Sequence, residues 1–353
     1  AMLPHIAIVL LVRLICLRHD VSAWTTTLIC SILLVFGNGW EDILFAVQIS
    51  YNLSLLGFLA QLVLCDHDGP PDRRDLAGLA CAFVGLLSSG FGPFFIAGIA
   101  VFLCLRRRWL AAAIAVVPQA LAYGWWWLEY ARNEPSTIPH AGKAQVAAFT
   151  VRGFTATFNG MVGVSAVAGI ALLATLAVVA WRRGGAIQAT IVALAVTAFL
   201  MYAGVGWERV GFGPESAAAS RYVYMAAMLL APALAIAVDR LRVLAPSALT
   251  AGRLVLACSA VLNIGNLLSF GTDWARRSAC DRNVLSLLAA SPQVAALDPS
   301  YQPLVFSPDV RLMDLPRLVS DDAIAARAAN GPADQAIIDE ALDPNTRSCP
   351  GPP

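Results

Sequence analysis

Apolar runs recur along this chain from its first residues to about Phe270, and they fix what it can become. They read at 3–17, 22–37, 43–65, 76–89, 94–105, 109–128, 164–181, 186–206, 220–238 and 253–270. A helix rises about 1.5 Å per residue, so ~20 residues cross a ~30 Å hydrocarbon core. Hydrophobic residues make up 58% of the 353 positions and charged residues only 13%. The mean hydropathy of +0.69 agrees. The expected fold is all-α: a polytopic helical membrane protein with about eight crossings and a short-helix hairpin. Residues 1–271 would form the transmembrane domain and 272–353 a small extracytoplasmic C-terminal region. The lipid bilayer is then a partner. A net charge of +1, with no basic cluster interleaved with aromatics, excludes nucleic acid.

Basic residues set the orientation. Arg13, Arg18, Arg73, Arg74, Arg106–Arg108, Arg182, Arg183, Arg240, Arg242 and Arg253 all fall on one side if 76–105 enters the membrane and returns. That puts 12 basic residues on the expected cytoplasmic side and five (Arg132, Lys143, Arg152, Arg209, Arg221) opposite. The halves of 76–105 are too short to span comfortably. Ser88-Ser89-Gly90-Phe91-Gly92-Pro93 breaks the helix between them. The reading is a hairpin whose tip faces a cavity; the other reading is one kinked crossing. Residues 144–163 mix apolar and polar types and read as an interfacial helix. Lys143 is the single lysine, a usage associated with high-GC bacteria, so the expected location is a bacterial plasma membrane.

The C-terminal region changes character, with seven Arg against eleven acidic residues from Gly271 onward. Asp321–Ala329 and Ala333–Leu342 read as short helices. Cys280 and Cys349 bracket it and would close it if paired in an oxidising exterior. The other six cysteines lie in apolar runs and read as small buried hydrophobes. No cysteine or histidine spacing indicates a metal site.

Gly37-Asn38-Gly39-Trp40-Glu41-Asp42 sets two carboxylates at the edge of an apolar run. A carboxylate there can act as general base, or hold a divalent cation that a phosphate also binds. Asp42 and Glu41 are the candidate catalytic residues, and the candidate metal ligands if a cation takes part. The plainer reading is a solvated loop end with Trp40 as an interface anchor. Gln48 follows one to two turns below Asp42 and can bond into a cavity or into a neighbouring helix. Arg221 and Tyr222 open a span, where an Arg fork suits a phosphate and a snorkelling Arg is equally ordinary. Ser89 and Gly90 stand at the hairpin tip. Trp207-Glu208-Arg209 reads as a local surface pair beside an interface Trp. Trp125-Trp126-Trp127 reads as an aromatic belt, or else as a platform for a sugar or prenyl chain, and His5 as structural.

Several of these pieces together resemble bacterial glycosyltransferases of the GT-C fold, which use polyprenyl-phosphate-linked sugars. Ser220-Arg221-Tyr222-Val223-Tyr224, followed by a run containing Pro232, is similar to a late helix of that superfamily. Gly90-Phe91-Gly92-Pro93 through Arg106-Arg107-Arg108-Trp109 resembles its pair of short helices. Trp40-Glu41-Asp42-Ile43-Leu44-Phe45 resembles the acidic start of an early helix. Trp40–Ile49 and Phe306-Ser307-Pro308-Asp309 are similar to uncharacterised actinobacterial members. The family also carries a catalytic Asp in an outer loop after its first span, and no such loop stands here. The resemblance therefore implies an N-terminally truncated chain, a larger role for Glu41 and Asp42, or a protein that is not an active transferase.

What the resemblance implies is transfer of a sugar from a polyprenyl-phosphate donor to an envelope acceptor on the outer face. Asp42 and Glu41 would be catalytic, Arg221 and Tyr222 would hold the donor phosphate, and Trp40, Gln48, Ser89 and Gly90 would line the site. The alternatives are a transporter or flippase of lipid-linked sugars and a non-catalytic envelope assembly protein.

Overall fold

A computed structural model describes the chain except for residues 1, 134–141, 164–185, 210, 212, 245, 305–309, 344–348 and 350–353. The expected span 164–181 and the Phe306–Asp309 segment lie outside the described residues. Among the described residues there are helices and no strand. The chain divides into two compact units, Ala1–Leu267 and Leu268–Pro353.

Among the described residues, the first unit is a bundle of ten helices ahead of a long one. They are α1 (Met2–Arg18), α2 (Ala23–Leu34), α3 (Trp40–Leu44), α4 (Ile49–Cys65), α5 (Arg73–Ser88), α6 (Gly92–Leu105), α7 (Trp109–Glu129), α8 (Lys143–Val162), α9 (Ala186–Arg209) and α10 (Ser220–Leu244). The unit boundary falls within α11 (Pro246–Ala289). Five described helices are long and apolar enough to cross a membrane, or six if the bent pair Ala23–Leu34 and Gly37–Leu44 is one span.

Helix α10 is the centre. It contacts α1, α2, α3, α8 and α9, and Val223–Ala231 are all buried. A helix apolar all round belongs inside, and its alanines let neighbours approach closely. In lipid, close packing of small residues replaces the hydrophobic driving force. The α4–α5 seam shows this. A Cβ on Gly57 would stand 2.5 Å from the Cys81 carbonyl oxygen and 2.9 Å from the Gly85 backbone nitrogen. Only glycine permits that approach.

The α5–α6 break comes where the sequence puts it. Ser89 is extended, and Pro93 sits in the first turn of α6, where its missing N–H goes unused. The chain goes out along α5 and returns along α6, because Arg106, just past α6, reaches Asp66 at 2.8 Å and Arg108 reaches Asp75, at the start of α5, at 3.0 Å. The two arms are not a tight pair. α5 packs on α4 and α7, while α6 packs on α9 and α7.

Other expectations need correction. The run 43–65 is not one helix: Phe45 is extended and Ala46–Gln48 forms a separate 3-10 turn. Gln48 therefore precedes α4 instead of lying on a shared helix below Asp42. α8, read as an interfacial helix, buries one face, with Phe149, Gly153, Thr157, Phe158 and Met161 inside. Its apolar face packs against α9 and α10. Of the cysteines expected inside, Cys258 is exposed.

The second unit has its own core of Leu287, Leu288, Leu304, Leu312, Leu315 and Ile338. It holds α12 (Leu315–Ser320) and α13 (Pro332–Leu342), and Cys280 is bonded to Cys349. Residues 321–329 are not helical. The Arg327 N–H donates to the Ser286 carbonyl at 2.9 Å, and its guanidinium reaches Asn283 at 2.8 Å and Asp334 at 2.7 Å. These tertiary bonds hold the segment in an irregular path.

Candidate functional site

The acidic stretch is clamped by its neighbours. Gly37–Gly39 forms a 3-10 turn, and the Gly37 N–H donates to Asn263 Oδ1 at 2.9 Å. A Cβ on Gly39 would meet the Tyr224 ring at 2.7 Å. The Glu41 N–H donates to Ser220 Oγ at 3.1 Å, and Asn52 Nδ2 donates to the Asp42 carbonyl at 2.7 Å. Three helices thus fix α3.

This clamp sends the two carboxylates to different places. Asp42 is wholly buried, and neither carboxylate oxygen has a hydrogen-bond partner among the described residues. Glu41 is one-fifth exposed, and its Oε2 lies 3.6 Å from Arg221 Nη1. The Arg221 guanidinium also stands 5.0 Å over the Tyr222 ring, a cation–π contact. Gln48 is buried and its Oε1 has no hydrogen-bond partner among the described residues. Trp40 is buried edge-on against Phe45 at 5.1 Å, a packing residue and not an exposed platform. His5 lies between the Tyr224 hydroxyl at 2.9 Å and the Leu34 carbonyl at 3.1 Å. The carbonyl only accepts, so Nε2 carries the proton and Nδ1 accepts from the tyrosine.

Beside Arg221 opens a cavity of about 740 Å³. The hairpin tip Ser88–Phe91 forms one wall, Tyr51 and Tyr222 another, and Glu208 with Arg209 a third. Phe91 holds the tip in place: its ring lies 5.3 Å from Tyr51 and 6.4 Å from Tyr222. Tyr51 lines the cavity together with Arg209 and Tyr222. A second, more apolar hollow of about 380 Å³ shares Ser88, Ser89, Gly90 and Trp126 with the first, and adds Leu87, Tyr123 and Trp125.

Of the residues expected to line a site, Ser89, Gly90 and Tyr222 line the cavity, and Trp126, read as part of an aromatic belt, lines it as well. Arg221 and Glu41 stand next to it through Tyr222, while Asp42, Gln48 and Trp40 are behind it. Sequence reasoning missed Tyr51 and the cavity position of Glu208 and Arg209. The available signal was their shared place at span ends on the side of Arg221.

The opposite end of the bundle carries a different charge cluster. Arg108 donates to Asp75 at 3.0 Å and to the Cys65 carbonyl at 2.6 Å, and His67 Nε2 lies 3.1 Å from Asp75. Burial pushes the Asp75 carboxyl up, but the Asp72 N–H, Arg108 and His67 outweigh it and hold the group below the usual carboxylate range. His67, Asp72 and Asp75 are close enough to share a cation, although the Arg108 guanidinium already supplies positive charge there. Glu41 and Asp42 belong to no such group of three among the described residues. Comparison with protein-family models, with curated proteins and with solved structures finds no match.

Proposed function

We propose that this protein is a multi-pass membrane transferase that moves a sugar from a polyprenyl-phosphate donor to an acceptor hydroxyl. In this reading the chain crosses a bacterial plasma membrane about eight times, with 76–105 entering and returning. The Arg108 end is cytoplasmic, following the arginine excess. The Glu41–Arg221 end and the C-terminal region face outward. The Cys280–Cys349 bond supports an oxidising compartment for the latter.

One observation carries the reading: Arg221 is paired with Glu41 and stacked on Tyr222, and Tyr222 lines a cavity of about 740 Å³ at the tip of a broken helix pair. Irregular backbone at membrane depth is stable only beside protein or water, so a tip of this kind marks a polar chamber. An Arg fork at its edge suits a phosphate. The adjoining hollow with Leu87 and Trp125 suits the apolar part of the same donor. A donor phosphate displaces the Glu41 carboxylate from Arg221. The acceptor oxygen then attacks the anomeric carbon, the bond to the phosphate oxygen breaks, and polyprenyl phosphate leaves.

The test is the full-length protein in liposomes with a radiolabelled polyprenyl-phosphate sugar and an acceptor glycan. Consumption of the donor with a labelled product supports transfer. Movement of intact donor between leaflets replaces it with transport.

A further inference from the structure

The geometry points to Glu208 as the group that takes the proton from the acceptor hydroxyl, a catalytic role resting on the transfer reading above. Among the described residues lining the cavity, Glu208 bears the one carboxylate. Asp42 is wholly buried, and Glu41 is turned to Arg221. Glu208 is exposed, in the last turn of α9, and lines the chamber together with Ser88, Ser89 and Tyr51.

Its placement is not explained by helix stability. A helix C-terminus carries partial negative charge, so a carboxylate in the last turn is disfavoured by a few tenths of a kcal/mol. Arg209 beside it suits that position and lines the same cavity. The acid sits where the helix disfavours it and where a substrate can reach it. The acceptor O–H gives its proton to the Glu208 carboxylate, its oxygen bonds to the anomeric carbon, and the electron pair of the breaking bond leaves on the donor phosphate. Glu208 then releases the proton to water.

Single-turnover transfer and equilibrium donor binding in the full-length protein test this, with wild type, Glu208→Gln and Glu208→Asp. The expected result is a ~10²–10⁴-fold slower transfer in Glu208→Gln, the size of a general-base contribution. Donor affinity should stay within about threefold, the acid limb of the pH–rate profile should vanish, and Glu208→Asp should recover part of the rate. Wild-type transfer with Glu208→Gln equally fast overturns the assignment and leaves the transfer reading standing. Loss of donor binding in step with rate also overturns it, since that marks a binding or structural residue. A wild type that binds donor and never consumes it overturns both.

Discussion

Arg221 Nη1 lies 3.6 Å from Glu41 Oε2, and the same guanidinium covers the Tyr222 ring at 5.0 Å. Both partners of the pair are partly exposed, so the pair contributes at most about 1 kcal/mol to stability. Its value is positional. Glu41→Gln should leave the melting temperature nearly unchanged and strengthen binding of short-chain polyprenyl phosphate, since the phosphate no longer competes with a carboxylate. Arg221→Gln should weaken that binding by about tenfold or more, the range for a charged hydrogen bond. Arg221→Lys should rescue it only in part, because an ammonium offers no fork. Unchanged affinity in Arg221→Gln would remove the phosphate site.

Arg209 is predicted to be the second cation of that site. It lines the cavity with Tyr51 and with Tyr222, the ring that Arg221 covers. Arg209→Gln should lower donor affinity by about tenfold, and combining it with Arg221→Gln should give less than the product of the two losses, because coupled contacts to one anion are not additive. Titration calorimetry in nanodiscs measures this. Strict additivity would show that the two arginines hold different parts of the ligand.

What the sequence told, and what it could not, follows the range of the interactions involved. The α5–α6 break was legible because Ser88–Pro93 carries it locally. The end of α11 was not, because Gly265 and Gly271 are tolerated inside a helix when nothing stops it, and α11 runs on to Ala289. The run 321–329 is rich in alanine and reads as helix, yet bonds from Arg327 to residues 44 positions earlier and 7 later decide its path. In the site, Arg221 and Tyr222 were readable as a charged pair opening a span. Glu208 and Arg209 read as a surface pair because only the fold shows that the end of α9 faces Tyr51 and the hairpin tip.

The glycine seam makes a prediction about assembly of the tip. Gly57→Val should lower stability by at least about 1–3 kcal/mol, the usual scale of overpacking, because the new carbons meet the α5 backbone. Gly90→Ala should shift stability by no more than about 0.5 kcal/mol, since nothing lies within 4 Å of the Cβ it would add. Thermal unfolding in detergent distinguishes them. Equal effects would mean that α4 and α5 are not held at this distance.

The Asp75 cluster predicts a response to acid. Its carboxyl is held below the ordinary value of ~3.9. Its stabilising contribution is therefore complete above that ordinary value and is lost as pH falls through the lower, folded-state value. Wild type should lose stability over that acid interval more steeply than Asp75→Asn. Arg108→Gln should be the harsher change at neutral pH, by about 3–5 kcal/mol, because it strands a buried carboxylate. Parallel acid denaturation curves for wild type and Asp75→Asn would show that the cluster does not titrate on unfolding.

The C-terminal unit tests topology and stability together. Cys280 and Cys349 are 69 residues apart in sequence and bonded to each other, and a loop of this length ties the unfolded chain by about 2–5 kcal/mol. Replacing both with serine should expose residues 268–353 to protease at a lower temperature than in wild type. In intact spheroplasts, a membrane-impermeant maleimide should leave these two cysteines unlabelled until a membrane-impermeant reductant is added, and then label both. Labelling that requires permeabilised membranes would put the unit on the cytoplasmic side. The proposed outward placement of residues 268–353 would then fail.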